Sequence, residues 1–167
     1  MRFRNGGYSG AEMLVLAMLR FAVGWHLLYE GIVKITDPGW TSANFLRESK
    51  WILSGFSEWI LSDDGILHAV DLLNSWGLTA IGAGLVLGLF TRVVSLSGAF
   101  LLLLYYLNSP PLTGLVYSVT ADGNNLIVNR TLIEAICLVL LAVFPSGRFL
   151  GMDSLFSRKK ATVMEVS

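Results

Sequence analysis

The sequence predicts an all-α fold: an integral membrane four-helix bundle with an amphipathic surface helix in its first outer loop. Three observations carry that expectation. Of the 167 residues, 54% are hydrophobic and only 14% charged, where a soluble domain carries roughly a quarter charged residues, and mean hydropathy is +0.63. Apolar windows of about 19 residues fall near 12–34, 68–90, 93–107 and 126–145, and each reads as a membrane span. The stretch between the first two spans has helical rather than random apolar spacing. No repeat or low-complexity segment divides the chain, so residues 1–167 are read as one domain.

The first span follows Arg2 and Arg4, as a secretory leader would, but it contains Arg20, runs on to Ile35 and has no Ala-x-Ala-like site after it. It is therefore expected to stay in the mature protein. Its core reads RFAVGWHLLYEGIVK, with Arg20, His26, Glu30 and Lys34 inside an otherwise apolar run. At about 100° per residue these four and Glu12 fall within roughly one third of the helix circumference. Scattered charges would each cost several kcal/mol in lipid, whereas one stripe can face the bundle interior and pair across it.

The first outer loop, NFLRESKWILSGFSEWIL, is expected to form one helix on the membrane surface. Phe45, Ile52, Leu53, Phe56, Trp59 and Ile60 share its apolar face, opposite Arg47, Lys50, Ser54, Ser57 and Glu58. It reads equally as a cover packed over the bundle mouth and as a lid on a lipid-side entrance. The second and third spans are separated only by the region around Phe90-Thr91-Arg92, which predicts a tight antiparallel hairpin, and Pro110 and Pro111 stop the third. On the second, Ala80, Gly84 and Gly88 make a small-residue row suited to close packing. The fourth span brings Asn125, Asn129, Arg130 and Glu134 into its outer half. Counting depth at about 1.5 Å per residue predicts two interhelical ion pairs, Arg20 with Glu134 and Glu30 with Arg130.

Orientation follows from the basic residues outside the spans, because cytoplasmic loops hold the excess. Arg2, Arg4, Arg92, Arg148, Arg158, Lys159 and Lys160 lie on one side, against Arg47 and Lys50 on the other. Both termini are expected in the cytoplasm. The outward loops are acidic, with Asp37, Glu48, Glu58, Asp63, Asp64 and Asp122, and most tryptophans fall near the outer interface.

Composition also narrows the function classes. With 12 basic and 12 acidic residues the chain has no net charge, so no nucleic acid partner is expected. The single Cys137 excludes dithiol chemistry within the chain and a cysteine-rich metal site. His68 at the start of the second span and His26 deeper in the first are ill-matched in depth for a bis-His haem. No haem or metal is predicted. What remains is a convergence of polar groups near the outer end of the spans, including Asp71, Asn74, Tyr105, Tyr106 and Asn108. Two readings compete, a functional site and a set of charges that only lock the helices in register.

The segments RFAVGWHLLYEGIVKI, GLVLGLFTRVVSL (84–96) and SGRFLGMD (146–153) together resemble the DoxX-like membrane protein family. The first matches its first-helix signature, the second its Gly and Thr-Arg hairpin, and the third its closing Gly-Arg-aromatic element. The long outer loop with Trp40 is similar to the DoxD-type small subunit of thiosulfate:quinone oxidoreductase. The resemblance implies a four-helix subunit of a bacterial or archaeal redox complex in the cytoplasmic (inner) membrane, working beside a second redox subunit or as a homo-oligomer. The thiosulfate enzyme oxidises thiosulfate to tetrathionate and reduces quinone with two subunits, and this chain carries no counterpart of the second, mostly extracytoplasmic one.

The expected function is thus a quinone-reactive membrane subunit of a bacterial oxidoreductase of thiosulfate:quinone type, with quinone as substrate or bound lipid. His26 and Tyr106 would donate to its carbonyls, and Glu30 and Glu134 would carry protons. Lys34 and Arg130, with Asn129 beside them, would stabilise negative charge or hold an anionic sulfur substrate. The alternative is a non-enzymatic membrane anchor or assembly subunit for a periplasmic redox partner. A small transporter is disfavoured by the lack of an inverted repeat or broken helices.

Overall fold

The computed structural model describes residues 9–112, 127–144 and 151. Six helices occur among them: α1 (Gly10–Thr36), α2 (Ala43–Arg47), α3 (Ser54–Leu61), α4 (Asp64–Leu87), α5 (Thr91–Asn108) and α6 (Arg130–Val143). Asn125, Asp122, the basic residues at both ends of the chain and all of the closing SGRFLGMD element except Gly151 lie outside the described residues.

Among the described residues three helices are long and apolar enough to cross a membrane: α1, α4 and α5. At 1.5 Å per residue they measure about 40, 36 and 27 Å, close to or beyond a hydrocarbon core of about 30 Å. Their outward faces match that solvent, with Leu14, Val15, Met18, Phe21, Leu73, Phe100 and Leu103 all exposed. α6 is as apolar on its outer side, with Ile133, Ile136 and Val143 exposed, but its 14 residues reach only about 21 Å.

The helix ends follow local chemistry. Ser9 and Glu12 form a reciprocal capping box on α1, which uses Glu12 at the N-terminus and removes it from the interior stripe. Asp63 caps α4 through the Gly65 and Ile66 amides at 2.7 and 3.0 Å. Gly88, at φ 67°, ends α4 in the left-handed conformation that favours glycine, and Phe90 at φ 46° starts α5. The predicted tight hairpin is this turn.

The four long helices pack as a ring, α1 on α4, α4 on α5, α5 on α6 and α6 on α1. Leu27, Leu78, Leu85, Leu138 and Leu141 are fully buried at its centre. The closest approach is between α1 and α4. A Cβ on Gly24 would stand 2.7 Å from Leu85 Cβ, one on Gly31 would stand 2.6 Å from the Thr79 amide, and one on Gly82 would stand 2.6 Å from Leu28 Cα. The small-residue seam therefore runs through Gly24, Gly31, Ser75 and Gly82, not through Ala80, Gly84 and Gly88. Ala80 is exposed, while Gly84 meets Val94 of α5 and Gly88 meets Arg20 and Gly151.

The first outer loop also departs from expectation. Instead of one surface helix it folds as α2 and α3, separated at 48–53. Ser57, assigned to the polar face, is 2% exposed and donates to Asn108 Oδ1 at 3.0 Å, while Phe56 and Trp59 stack on each other and face outward. The cause is a specific buried partner: Asn108 Nδ2 also donates to the Phe45 carbonyl at 3.0 Å, tying both short helices to the end of α5. At the other end of α2, Asp71 of α4 accepts from the Ser42 amide at 2.8 Å and from its hydroxyl.

Candidate functional site

The inward stripe of α1 meets polar side chains from each of the other long helices. Lys34 Nζ lies 3.0 Å from Glu30 Oε1 and donates to Asn74 Oδ1 of α4 at 3.3 Å. The Tyr105 hydroxyl of α5 donates to the same Asn74 oxygen. The ammonium also sits over two aromatic rings, 4.9 Å from the Trp40 centroid and 5.4 Å from that of Tyr105. Such cation–π contacts strengthen when the charge is desolvated, and the Lys34 side chain is only 12% exposed. Trp40, one of the tryptophans that the sequence places near the outer interface, is thus part of the lysine's cage.

One turn below Glu30 and two below Lys34, His26 bridges α1 and α6. Its Nδ1 is 3.1 Å from Glu134 Oε1 and its Nε2 is 4.0 Å from Glu30 Oε2. Nδ1 makes no hydrogen bond to the carboxylate, so the contact is a close electrostatic one. Arg130 Nε stands 3.8 Å from Glu134 Oε1, with the arginine side chain 64% exposed. Exposed pairs of this kind contribute little to stability.

Joined end to end, these contacts run from Tyr105 through Asn74, Lys34, Glu30, His26 and Glu134 to Arg130, across all four long helices. The sequence-predicted residues His26, Glu30, Lys34, Glu134 and Arg130 belong to this run. Tyr106 and Asn129 do not. The Tyr106 hydroxyl donates to the Ile127 carbonyl at 2.8 Å, and Asn129 caps α6 through the Leu132 amide at 2.9 Å, so both fix the start of α6.

The two expected interhelical ion pairs are replaced. Glu134 is engaged by His26 and Arg130, not Arg20, and Glu30 is engaged by Lys34 and His26, not Arg130. Two features of the backbone account for this. α6 begins at Arg130 rather than near 126, so Glu134 lies four residues, about 6 Å, below the helix start and level with His26. Helical side chains also lean toward their own N-terminus, so in antiparallel helices Arg20 and Glu134 lean apart. Arg20, 5% exposed, instead carries its guanidinium against Gly88 at the end of α4.

Asn74 and Tyr105 were noted in the sequence only as polar residues of the outer half. The signal that marks them as part of the run is a lysine on the facing helix at the same depth, which must find an acceptor where water is scarce. Chemically, the arrangement offers hydrogen-bond donors clustered at one end and a histidine between two carboxylates at the other. That pairing suits holding an electron-rich oxygen and moving protons to it. Comparison of the chain with protein-family models, with curated proteins and with solved structures returned no match.

Proposed function

We propose that this chain is the quinone-reactive membrane subunit of a bacterial oxidoreductase, as its resemblance to the DoxX-like family suggests. In this reading α1, α4, α5 and α6 all cross the inner membrane and both termini are cytoplasmic. The observation that carries it is the succession of polar contacts from Tyr105 to Arg130, each within 4.0 Å, inside a surface otherwise made for lipid.

Reducing a quinone to a quinol takes two electrons and two protons. Lys34, Asn74 and Tyr105 present donors to the carbonyl oxygen on which negative charge develops. Glu30, His26 and Glu134 offer successive proton positions, because an imidazole between two carboxylates accepts at one nitrogen and donates at the other. The electrons come from a donor handled with a partner subunit. In a thiosulfate:quinone enzyme two thiosulfates release them on joining as tetrathionate.

The test is isolation of the protein from native membranes with its partners and bound lipids. Quinone near one equivalent, falling in Lys34→Met, is expected. A partner bound with phospholipid alone would overturn the reading in favour of an anchor or assembly subunit.

A further inference from the structure

The seam between α1 and α6 leaves charge uncovered. The His26 and Glu30 side chains of α1 are 35% and 34% exposed, and that of Arg130 on α6 is 64% exposed. His26 lies three residues past Val23, the midpoint of α1, so it stands within about 5 Å of the middle of that span. Ionisable groups at such depth face a bundle interior or a water-filled cavity and pair with one another. An imidazole and a carboxylate one-third open at the margin of the ring match hydrocarbon poorly. Residues three apart on a helix are neighbours, which sets Tyr29 and Val33 beside His26 and Glu30, and Ile133 beside Arg130. All three are exposed apolar side chains, so the open charges are bordered by surface that suits lipid or another helix.

The charges on the two helices are also matched in depth. His26 Nδ1 and Glu134 Oε1 are 3.1 Å apart. Glu30 lies four residues along α1 from His26, and Arg130 four residues back along α6 from Glu134, on antiparallel helices. Both therefore stand about 6 Å from the His26–Glu134 contact, on the same side of it. Within one chain they do not pair: Glu30 holds Lys34 at 3.0 Å, and Arg130 keeps its Nε 3.8 Å from Glu134. An ionised carboxylate offers about four acceptor positions and a guanidinium about five N–H donors, so neither group is saturated by one such contact.

We propose that this seam is the interface with a second copy of the chain, with Arg130 of each copy engaging Glu30 of the other. Two copies in one membrane share an orientation, so a two-fold axis along the membrane normal brings equal depths together. An isologous contact of this kind needs complementary groups on either side of the axis at one level. Glu30 on α1 and Arg130 on α6 supply them. Tyr29, Val33 and Ile133 then close over His26 and keep lipid away from it. The dimer is independent of the quinone reading and stands or falls without it.

The experiment follows the full chain in phosphatidylethanolamine–phosphatidylglycerol vesicles, by energy transfer between copies labelled at the C-terminus as the protein is diluted in lipid. Self-association is expected. Arg130→Glu should raise the protein-to-lipid ratio for half-association roughly tenfold, the effect of losing two interhelical polar contacts of ordinary strength in a membrane. Glutamate suits the N-terminal end of a helix dipole, so α6 is expected to form in this variant. In native membranes, with Cys137→Ser as background, Val33→Cys and Ile133→Cys should each cross-link to a second copy through a short bismaleimide. Leu73→Cys, at an exposed position of α4, should not.

Monomers at every dilution, unchanged association in Arg130→Glu, or cross-linking through Leu73→Cys alone would overturn the proposal. So would seam cysteines that couple only to a different polypeptide, which would place a partner subunit there. Seam cysteines that react throughout with a water-soluble maleimide would also overturn it, by making the seam a water-filled cleft. Should Arg130→Glu not fold, the cross-linking pattern, obtained with the native charges in place, decides the matter.

Discussion

Gly82→Ala probes the α1–α4 seam on which the site depends. An added Cβ would stand 2.6 Å from Leu28 Cα and 2.7 Å from the Gly24 carbonyl, whereas non-bonded heavy atoms settle at about 3.5–4.0 Å. Both neighbours are backbone, so no rotamer change relieves the contact and α1 must retreat by about 1 Å. Overpacking of this kind costs about 1–3 kcal/mol. The same retreat stretches the Lys34–Asn74 hydrogen bond, already 3.3 Å, and forfeits about another 1 kcal/mol.

Gly77→Ala is the matched control, on the same helix, where a Cβ meets nothing within 4 Å. Both variants gain the helix propensity of alanine, so their difference isolates the clash at about 2–4 kcal/mol. For a chain of this size that separates their melting temperatures by roughly 4–16 °C. Thermal unfolding in one detergent, followed by circular dichroism, measures it. Equal melting temperatures for the two alanine variants would show that the glycine seam is not what sets the helix spacing.

Lys34→Met keeps the length of the side chain but leaves Glu30 without its ammonium partner and Asn74 with the Tyr105 hydroxyl alone, and should lower stability by about 1–3 kcal/mol in chemical denaturation. A cost under about 0.5 kcal/mol would remove Lys34 from the centre of the polar run. Asp71→Ala frees the Ser42 amide and hydroxyl, and hydrogen exchange at residues 42–47 should accelerate while α1 and α5 stay protected. Uniform exchange across the chain would contradict local pinning of α2. In a double-mutant cycle, His26→Phe and Glu134→Gln should couple by about 0.5–3 kcal/mol, whereas Arg20→Leu and Glu134→Gln should add independently. A reporter fused after Ser167 should read as cytoplasmic, because the basic residues crowd that side.

Much of α1 could be read directly, because a helix writes its inward face into local spacing. Arg20, Val23, Leu27, Gly31 and Lys34 recur every three or four residues and face the bundle. The hairpin was legible for a similar reason, since Gly88 and Thr91 mark a turn chemically. The partners were not legible. Whether Glu134 meets Arg20 or His26 depends on where α6 begins, and the apolar run alone does not mark Asn129 as its cap. The glycine seam escaped because a four-residue period on one helix says nothing about which face its neighbour approaches. Ser57 escaped because its hydroxyl is satisfied by Asn108, 51 residues away, a contact invisible to periodicity.

His26 offers the most direct test of the central claim, that the polar run moves protons to a quinone. With Glu134 and Glu30 on either side, His26→Phe interrupts the run while keeping a ring of similar size at the same place. Quinone reduction by the complex purified with its partners should fall about 10- to 100-fold, with assembly and quinone affinity nearly unchanged. Full turnover in the Phe variant would contradict the account and leave these charges as the lock that holds four helices in register.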